Sequence, residues 1–138
     1  MPSDTIFFTD QCLAGQAISQ AIAQASGCRT EIFAAHFVLD AKDVVWLPEI
    51  GRRGWVLVTK DWRIQERPLE REAIISAKVR AFVLRQQNLS GKAIIALLKL
   101  AMPNMLSSIA KYAPPFIFAL EISGELTPLS ELLQIAHE

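Results

Sequence analysis

The sequence has few residues that could form disulfides or bind a metal through sulfur and nitrogen. Its 138 residues include two cysteines and two histidines. Cys12 and Cys28 show no Cys-x-x-Cys or Cys/His spacing, which argues against a zinc site. We therefore expect two free thiols in the core of a protein from a reducing compartment, the cytoplasm.

The sequence also lacks net charge and long apolar runs. Fourteen basic residues balance fourteen acidic ones, so overall charge gives no reason to expect binding to nucleic acid or to a membrane. The longest nearly apolar run, residues 93–102, contains Lys99, and a membrane helix needs about 20 residues. We expect no membrane span and, because no basic segment precedes an apolar one at the start, no secretory signal.

Composition and length are those of one folded domain. Apolar residues make up 51% of the chain and charged residues 20%, which excludes disordered and low-complexity classes. Domains of about 100 to 150 residues are the commonest, so we predict a single domain over residues 1–138.

Hydrophobic patterning predicts strands that alternate with helices. The predicted strands are residues 5–9, 30–37, 55–59, 79–84 and 116–122. Predicted helices are 13–25 before Gly27, 42–50 before Gly51, 70–78, and a long helix from Ser90 that Pro103 breaks or kinks before a second stretch to Tyr112. Ser123 and Gly124 predict a C-terminal hairpin, followed by a short tail helix. This order predicts an α/β fold, a three-layer α/β/α sandwich with a mostly parallel sheet.

Acidic residues follow two of the predicted strands. Asp10 comes directly after the first strand and Asp61 after the third, while Asp43 and Glu70 lie at helix starts. Parallel strands end at one edge of the sheet, so these carboxylates can converge there. Their mutual repulsion would be relieved by a divalent cation with oxygen ligands, Mg²⁺ or Mn²⁺. Each residue taken alone could instead be a turn residue or a helix cap.

The basic residues are concentrated in one segment. Residues 52–92 contain ten basic and four acidic residues, so their net charge is 10 minus 4, or +6. A basic band beside an acidic metal site is what cleavage of a polyanion requires, because Lys and Arg hold phosphates while the metal sits at the reacting one. Surface arginines that pair with glutamates on a solvated helix would account for the same excess.

The segments FFTDQCLAGQAISQAI, WLPEIGRRGWVLVTKDWRI after Asp43, and RPLEREAI carry a family resemblance. From about residue 6 to about residue 122 the sequence resembles the PIN-like nucleases, in particular the VapC-type toxins of bacterial toxin–antitoxin pairs. The resemblance implies an α/β/α sandwich that binds Mg²⁺ or Mn²⁺ through three or four carboxylates and cuts RNA. It also implies a protein antitoxin as partner.

Carried over by position, the resemblance makes Asp10, Asp43 and Asp61 the metal ligands and catalytic residues. Glu70 is the fourth acidic residue, and Glu49, Glu66 or Glu72 are the alternatives. Residues 73–120 contain no acidic residue, so the number of metal ions, one or two, stays open. The candidate contacts to RNA phosphates are Lys60, Arg63 and Arg67. Thr59 either bonds to these ligands or satisfies its own backbone.

Two other classes compete with a nuclease. A phospho-acceptor receiver domain also has an aspartate after its first strand, but it needs an acidic pair there and a lysine ending its fifth strand. Here Gln11 follows Asp10, and the run FIFALEI has no lysine. A non-catalytic PIN-like binding module is the second alternative. The apolar excess of residues 93–112 suits either a homodimer or partner surface or simple core burial.

Overall fold

The computed structural model describes residues 4–13, 15–131 and 133–136. The strands are β1 (Ile6–Thr9), β2 (Arg29–Ile32), β3 (Val56–Thr59), β4 (Arg80–Leu84), β5 (Tyr112–Ala113), β6 (Phe116–Leu120), β7 (Leu126–Pro128) and β8 (Gln134–Ile135). The α-helices are α1 (Gln16–Ser26), α2 (Asp43–Arg53), α3 (Pro68–Ser76) and α4 (Gly91–Lys111).

Six strands form one sheet in the order β2-β1-β3-β4-β6-β7. The first five are parallel, and β7 pairs with β6 antiparallel. The predicted fold class, a mostly parallel sheet with helices on both faces and a C-terminal hairpin, is confirmed.

Alternate strand residues face two separate cores, as the two-residue period of a strand requires. On one face Phe7, Val58 and Phe82 pack with α1 and α4. On the other face Phe8 and Leu57 pack with α2 and α3. Both faces of the central strands are therefore covered, which explains why residues 55–58, WVLV, are all apolar.

Helix α2 extends past Gly51, so the prediction that this glycine ends the helix is wrong. The helix ends at Gly54, whose φ of 72° is the left-handed conformation that glycine adopts easily. Gly51 lies inside the helix, where an added Cβ would sit 2.7 Å from the Cβ of Ala77. A glycine is required at this position because the end of α3 packs closely against it.

Helix α4 runs continuously through Pro103, which corrects the predicted break. By length and composition its 21 residues could cross a membrane. The nearly apolar run of residues 93–102, on which the expectation of no membrane span was based, is shorter than the helix that contains it. A buried core helix passes the same test, and Leu98, Met102 and Met105 of this helix belong to the core on the α1 side.

The predicted tail helix is wrong for the residues that the structure describes. Strand β8 pairs antiparallel with β5, which directly follows α4. Backbone pairing with a distant segment determines the conformation here, and the local sequence pattern carries no sign of it.

Candidate functional site at the carboxyl edge of the sheet

The four acidic residues predicted for the site all lie at the carboxyl edge of the sheet, two after strands and two in the first turns of helices. Asp10 follows β1, and Asp61 follows β3 by two residues; these strands are parallel neighbours. Asp43 begins α2, which runs from this edge back toward the start of β3, and Glu70 lies in the first turn of α3.

Asp10 is the buried member of the group, with 7% of its surface exposed. Thr59 Oγ1 donates to its Oδ2 at 2.7 Å, and Cys12 Sγ donates to its Oδ1 at 2.8 Å. Burial nevertheless raises the pKa of the Asp10 carboxyl from 3.8 to about 6, with smaller contributions from the charges of Asp61 and Asp43. Within the described residues no basic side chain forms an ion pair with Asp10.

Cys12 is a free thiol, as predicted, but it also lies at the site. Burial and the neighbouring Asp10 carboxylate raise the pKa of Cys12 to about 12. The thiol therefore remains protonated at neutral pH and acts as a hydrogen-bond donor to Asp10. The sequence spacing of two residues from Asp10 was the available signal for this contact.

Thr59 connects the two strand-end aspartates. Its hydroxyl donates to Asp10 and accepts from the backbone N–H of Asp61 at 3.0 Å. Both roles considered for Thr59 are observed, since its hydroxyl bonds to the candidate ligand Asp10 and also to the local backbone. The hydroxyl fixes the Asp10 carboxylate relative to the turn that carries Asp61.

Asp61 and Asp43 are partly exposed and both lie near the Nη1 nitrogen of Arg67. Asp61 Oδ1 accepts from the backbone N–H of Arg63 at 3.2 Å, so this aspartate also caps the short turn that follows. Asp43 Oδ1 accepts from Trp46 Nε1 at 3.1 Å. Burial, followed by the charges of Asp61 and Glu70, raises the pKa of Asp43.

Arg67 contacts three of the four acidic residues. Its Nη1 lies 3.0 Å from Asp61 Oδ2 and 3.7 Å from Asp43 Oδ2, and its Nε lies 3.5 Å from Glu70 Oε2. The two aspartate oxygens are therefore no farther apart than the sum of the first two distances. The prediction that Arg67 contacts RNA phosphates does not match this arrangement, because its guanidinium lies against the carboxylates.

The alternatives for the fourth acidic residue differ in position. Glu70 is near the cluster and largely buried. Glu49 lies toward the other end of α2 and pairs with Arg52 and Arg53. Glu66 and Glu72 are exposed on the surface. Among the four, Glu70 is the one that shares an arginine with Asp43 and Asp61.

The remaining predicted phosphate contacts are solvent-exposed. Lys60 directly follows β3, and Arg63 lies in the next turn, so both flank Asp61. Neither forms a side-chain ion pair with another described residue. Lys60 also lines a small pocket with Leu84, Gln87 and Ile94.

Sequence reasoning missed one acidic residue at this edge. Glu121 directly follows β6 and pairs with Arg85 Nε at 2.8 Å. The Arg85 guanidinium also lies 4.7 Å from the ring centre of Trp62. The signal was present, because Glu121 follows the buried strand FIFAL as Asp10 follows IFFT.

The basic segment 52–92 does not form one band beside the acidic cluster. Arg52 and Arg53 end α2 and Arg80 begins β4, so all three lie at the opposite, amino edge of the sheet. Arg71 donates to the backbone carbonyls of Gln65 and Leu129. The predicted basic band is therefore divided between two edges and internal contacts.

The donor atoms of this cluster are of the type that Mg²⁺ and Mn²⁺ bind, all carboxylate oxygens. Asp10 in particular is a buried carboxylate without a described cationic partner. Across the described residues, however, no three Asp, Glu, His or Cys side chains already stand in a metal-holding arrangement. The chemistry of the cluster fits a hard cation, while Arg67 supplies the positive charge in this conformation.

A family model described as PIN like domain matches residues 5–86, more than half of the chain. The match includes all four acidic residues and ends just after β4. No curated protein and no solved structure matches the chain.

Proposed function

The chain belongs to the PIN-like domain family, whose members are generally nucleases, and we propose that it is a Mg²⁺- or Mn²⁺-dependent endoribonuclease. The receiver-like alternative has no comparable support. The observation that carries the proposal is the link from Asp10 through Thr59 to Asp61 at neighbouring parallel strand ends.

Asp10, Asp43 and Asp61 would hold the cation. Asp10 fits this role because its carboxylate is buried, its pKa is raised, and no described basic side chain compensates its charge. A divalent ion bound there would lower the pKa of a water molecule and stabilise the charge that develops on the phosphate.

The remaining residues have separate tasks in this proposal. Glu70 orients the attacking water, because it lies beside Asp43 and Asp61 without belonging to a strand end. Lys60 and Arg63 bind the flanking RNA phosphates, because both are exposed next to Asp61. Arg67 keeps the carboxylates together until the cation binds.

The narrower proposal is that the enzyme is the toxin of a toxin–antitoxin pair, acting on RNA in the cytoplasm and restrained by a protein antitoxin. The sequence resemblance to VapC-type toxins supports it. Exposed apolar side chains at Val38, Leu39 and Val45, on the connection into α2 and in its first turn, offer surface for a protein partner or a second copy of the chain.

The proposal is tested by measuring cleavage of a labelled RNA with Mn²⁺ and with a chelator. We expect Mn²⁺-dependent cleavage that Asp61→Asn lowers by about 100-fold or more. Asp40→Asn is the matched control, because Asp40 is an exposed aspartate outside the cluster. Equal cleavage by folded Asp61→Asn and by the control would remove Asp61 from the reaction.

The fourth acidic residue is tested by a pair of variants on one helix. Glu70→Gln should lower the cleavage rate by about 100-fold, whereas Glu72→Gln, on the exposed side of α3, should leave it unchanged. The reverse result would assign the role to Glu72.

A non-catalytic PIN-like binding module is the second candidate. The observation in its favour is Arg67, which already neutralises part of the acidic cluster. RNA binding without Mn²⁺-dependent cleavage in the wild-type chain would favour this candidate.

A further inference from the structure

A cavity of about 350 Å³ opens beside Asp10 at the carboxyl edge of the sheet. It lies at the ends of β1 and β2, which are parallel neighbours with Thr9 opposite Ile32. Strand β3 pairs with the other side of β1, so Asp10 lies between this cavity and the turn that carries Asp61. The wall of the cavity includes Asp10, Gln11, Ile32, Phe33, Phe37 and Leu39. The cavity therefore adjoins the candidate cation site and shares Asp10 with it.

The wall is mostly apolar and includes an aromatic pair. The ring centres of Phe33 and Phe37 are 5.4 Å apart, with an angle of 40° between the ring planes. Phe33 is buried, whereas Phe37 is partly exposed and Leu39 is 70% exposed. Sites for small molecules commonly have volumes of about 300 to 1,000 Å³ and are lined by apolar and aromatic side chains. The cavity thus has the size and lining that a flat, largely apolar ligand needs.

The polar groups of the wall suit an uncharged ligand. The Gln11 side chain is exposed, and its amide has no hydrogen-bond partner among the described residues. An amide both donates and accepts hydrogen bonds, as recognition of a nucleobase edge requires. Asp10 is the charged residue of the described wall, which contains no basic residue to hold a phosphate. A planar ring with hydrogen-bonding edges is therefore favoured over an anion.

We propose that this cavity binds one unpaired nucleobase of the RNA strand whose phosphate lies at the cation site. The inference rests on the proposed nuclease function, because the RNA strand is what connects the base to that phosphate. Proteins commonly recognise single-stranded RNA by stacking splayed-out bases on aromatic side chains. The base that enters the cavity fixes the neighbouring phosphate relative to Asp10, so the cavity determines which bond is cut.

The first measurement does not involve cleavage. Each common ribonucleoside is titrated into the full-length chain with a chelator present and followed by amide NMR, and we expect at least one to cause localised shifts at Gln11, Gly15 and Phe37. Ala34→Leu should weaken its binding about tenfold, because the larger side chain then occupies the cavity. Ala35→Leu is the matched control, since Ala35 is also exposed in the same 3-10 turn but lies outside the cavity wall.

The second measurement connects the cavity to cleavage. An abasic residue is placed in turn at each position beside the preferred cut site of an RNA. With Mn²⁺, removal of the base that enters the cavity should slow cleavage by the wild-type chain about tenfold. Ala34→Leu should cut the abasic and the intact RNA at similar rates, because its cavity is already filled. If Ala34→Leu does not fold, Gln11→Ala, which removes an exposed amide, is used in its place and should weaken nucleoside binding.

The outcomes separate the two proposals. A wild-type chain that does not cut RNA contradicts the proposed function, and the nucleoside titration, which needs no catalysis, still decides whether the cavity binds a base. The cavity proposal is overturned, even if RNA is cut, when no nucleoside causes localised shifts or when Ala34→Leu and Ala35→Leu bind nucleosides equally well. Shifts caused by N-acetyl-leucinamide and by no nucleoside would assign the cavity to a side chain of a protein partner and would also overturn it.

Discussion

The two edges of the parallel sheet differ in the sign of the charge they gather. At the carboxyl edge Asp43, Asp61 and Glu70 contact a single arginine, Arg67, and the nearby Asp10 has no described cationic partner. At the amino edge Arg53 and Arg80 line a cavity in which Arg80 has no described acidic partner. Helix α2 spans the two edges, with Asp43 in its first turn and Arg53 in its last. The fold thus places acidic residues at one edge and arginines at the other, a separation that the net charge of zero does not reveal.

The largest expected effect is on stability at the carboxyl edge and comes from Asp10. Its pKa of about 6 in the folded chain exceeds the ordinary 3.8, so between these values the folded protein holds a proton that the unfolded chain has released. With a chelator present, the free energy of unfolding should fall as pH rises from about 4 to 6, by on the order of 3 kcal/mol.

Urea denaturation at several pH values checks this prediction. Asp10→Asn should remove most of that pH dependence, because it cannot release the proton, while Asp40→Asn should keep it. A wild-type slope retained in Asp10→Asn would assign the effect to another group.

The next effect is on the stability that comes from packing between the ends of α2 and α3, near the amino edge. Gly51→Ala would place a Cβ against Ala77, and overpacking of this kind costs about 1 to 3 kcal/mol. Gly91→Ala is the control, because an added Cβ there meets nothing within 4 Å and alanine favours a helix by about 1 kcal/mol or less. Denaturation midpoints that fall equally in both variants would show that the contact with Ala77 is unimportant.

The smallest effect concerns Arg67 as an internal counter-ion. Arg67→Gln should strengthen Mn²⁺ binding roughly tenfold, about 1.4 kcal/mol, because the ion no longer competes with the guanidinium for Asp43 and Asp61. It should also lower the stability of the chelated protein, because the carboxylates then repel one another. Calorimetry with Arg29→Gln as the charge-matched control measures both, and weaker Mn²⁺ binding in Arg67→Gln would contradict this role.

Strands β1, β3, β4 and β6 were predictable because they are short apolar runs with polar neighbours in the chain. Strand β2 has the polar sequence RTEI, and the prediction that it continues to residue 37 is wrong, because Phe33–Ala35 form a 3-10 turn. The end of α1 was also predictable, because a glycine that follows a helical pattern often ends the helix. Gly27 does so here, in the left-handed conformation with φ of 72°. Gly51 carried the same sequence signal but serves close packing between helices. One sequence cannot distinguish these two uses of glycine, since the difference lies in a contact with Ala77, 26 positions later in the chain.

The candidate site was predictable in part for a similar reason. Strand ends locate Asp10 and Asp61, because parallel strands end together. Strand positions do not determine where a long side chain points. The sequence predicts that Arg67 faces RNA, whereas it contacts Asp43, Asp61 and Glu70. Such contacts depend on the path of the connection between β3 and α3, which carries Arg67 across the carboxyl edge of the sheet.

The central claim is that the carboxyl edge, and not the amino edge, is where a divalent cation binds. Addition of substoichiometric Mn²⁺ to isotope-labelled protein tests it directly, because the paramagnetic ion broadens the amide signals around it. We expect the signals of Asp10, Thr59 and Asp61 to disappear first while those of Gly54 and Arg80 persist. Uniform broadening, or broadening that begins at Gly54 and Arg80, would contradict the claim.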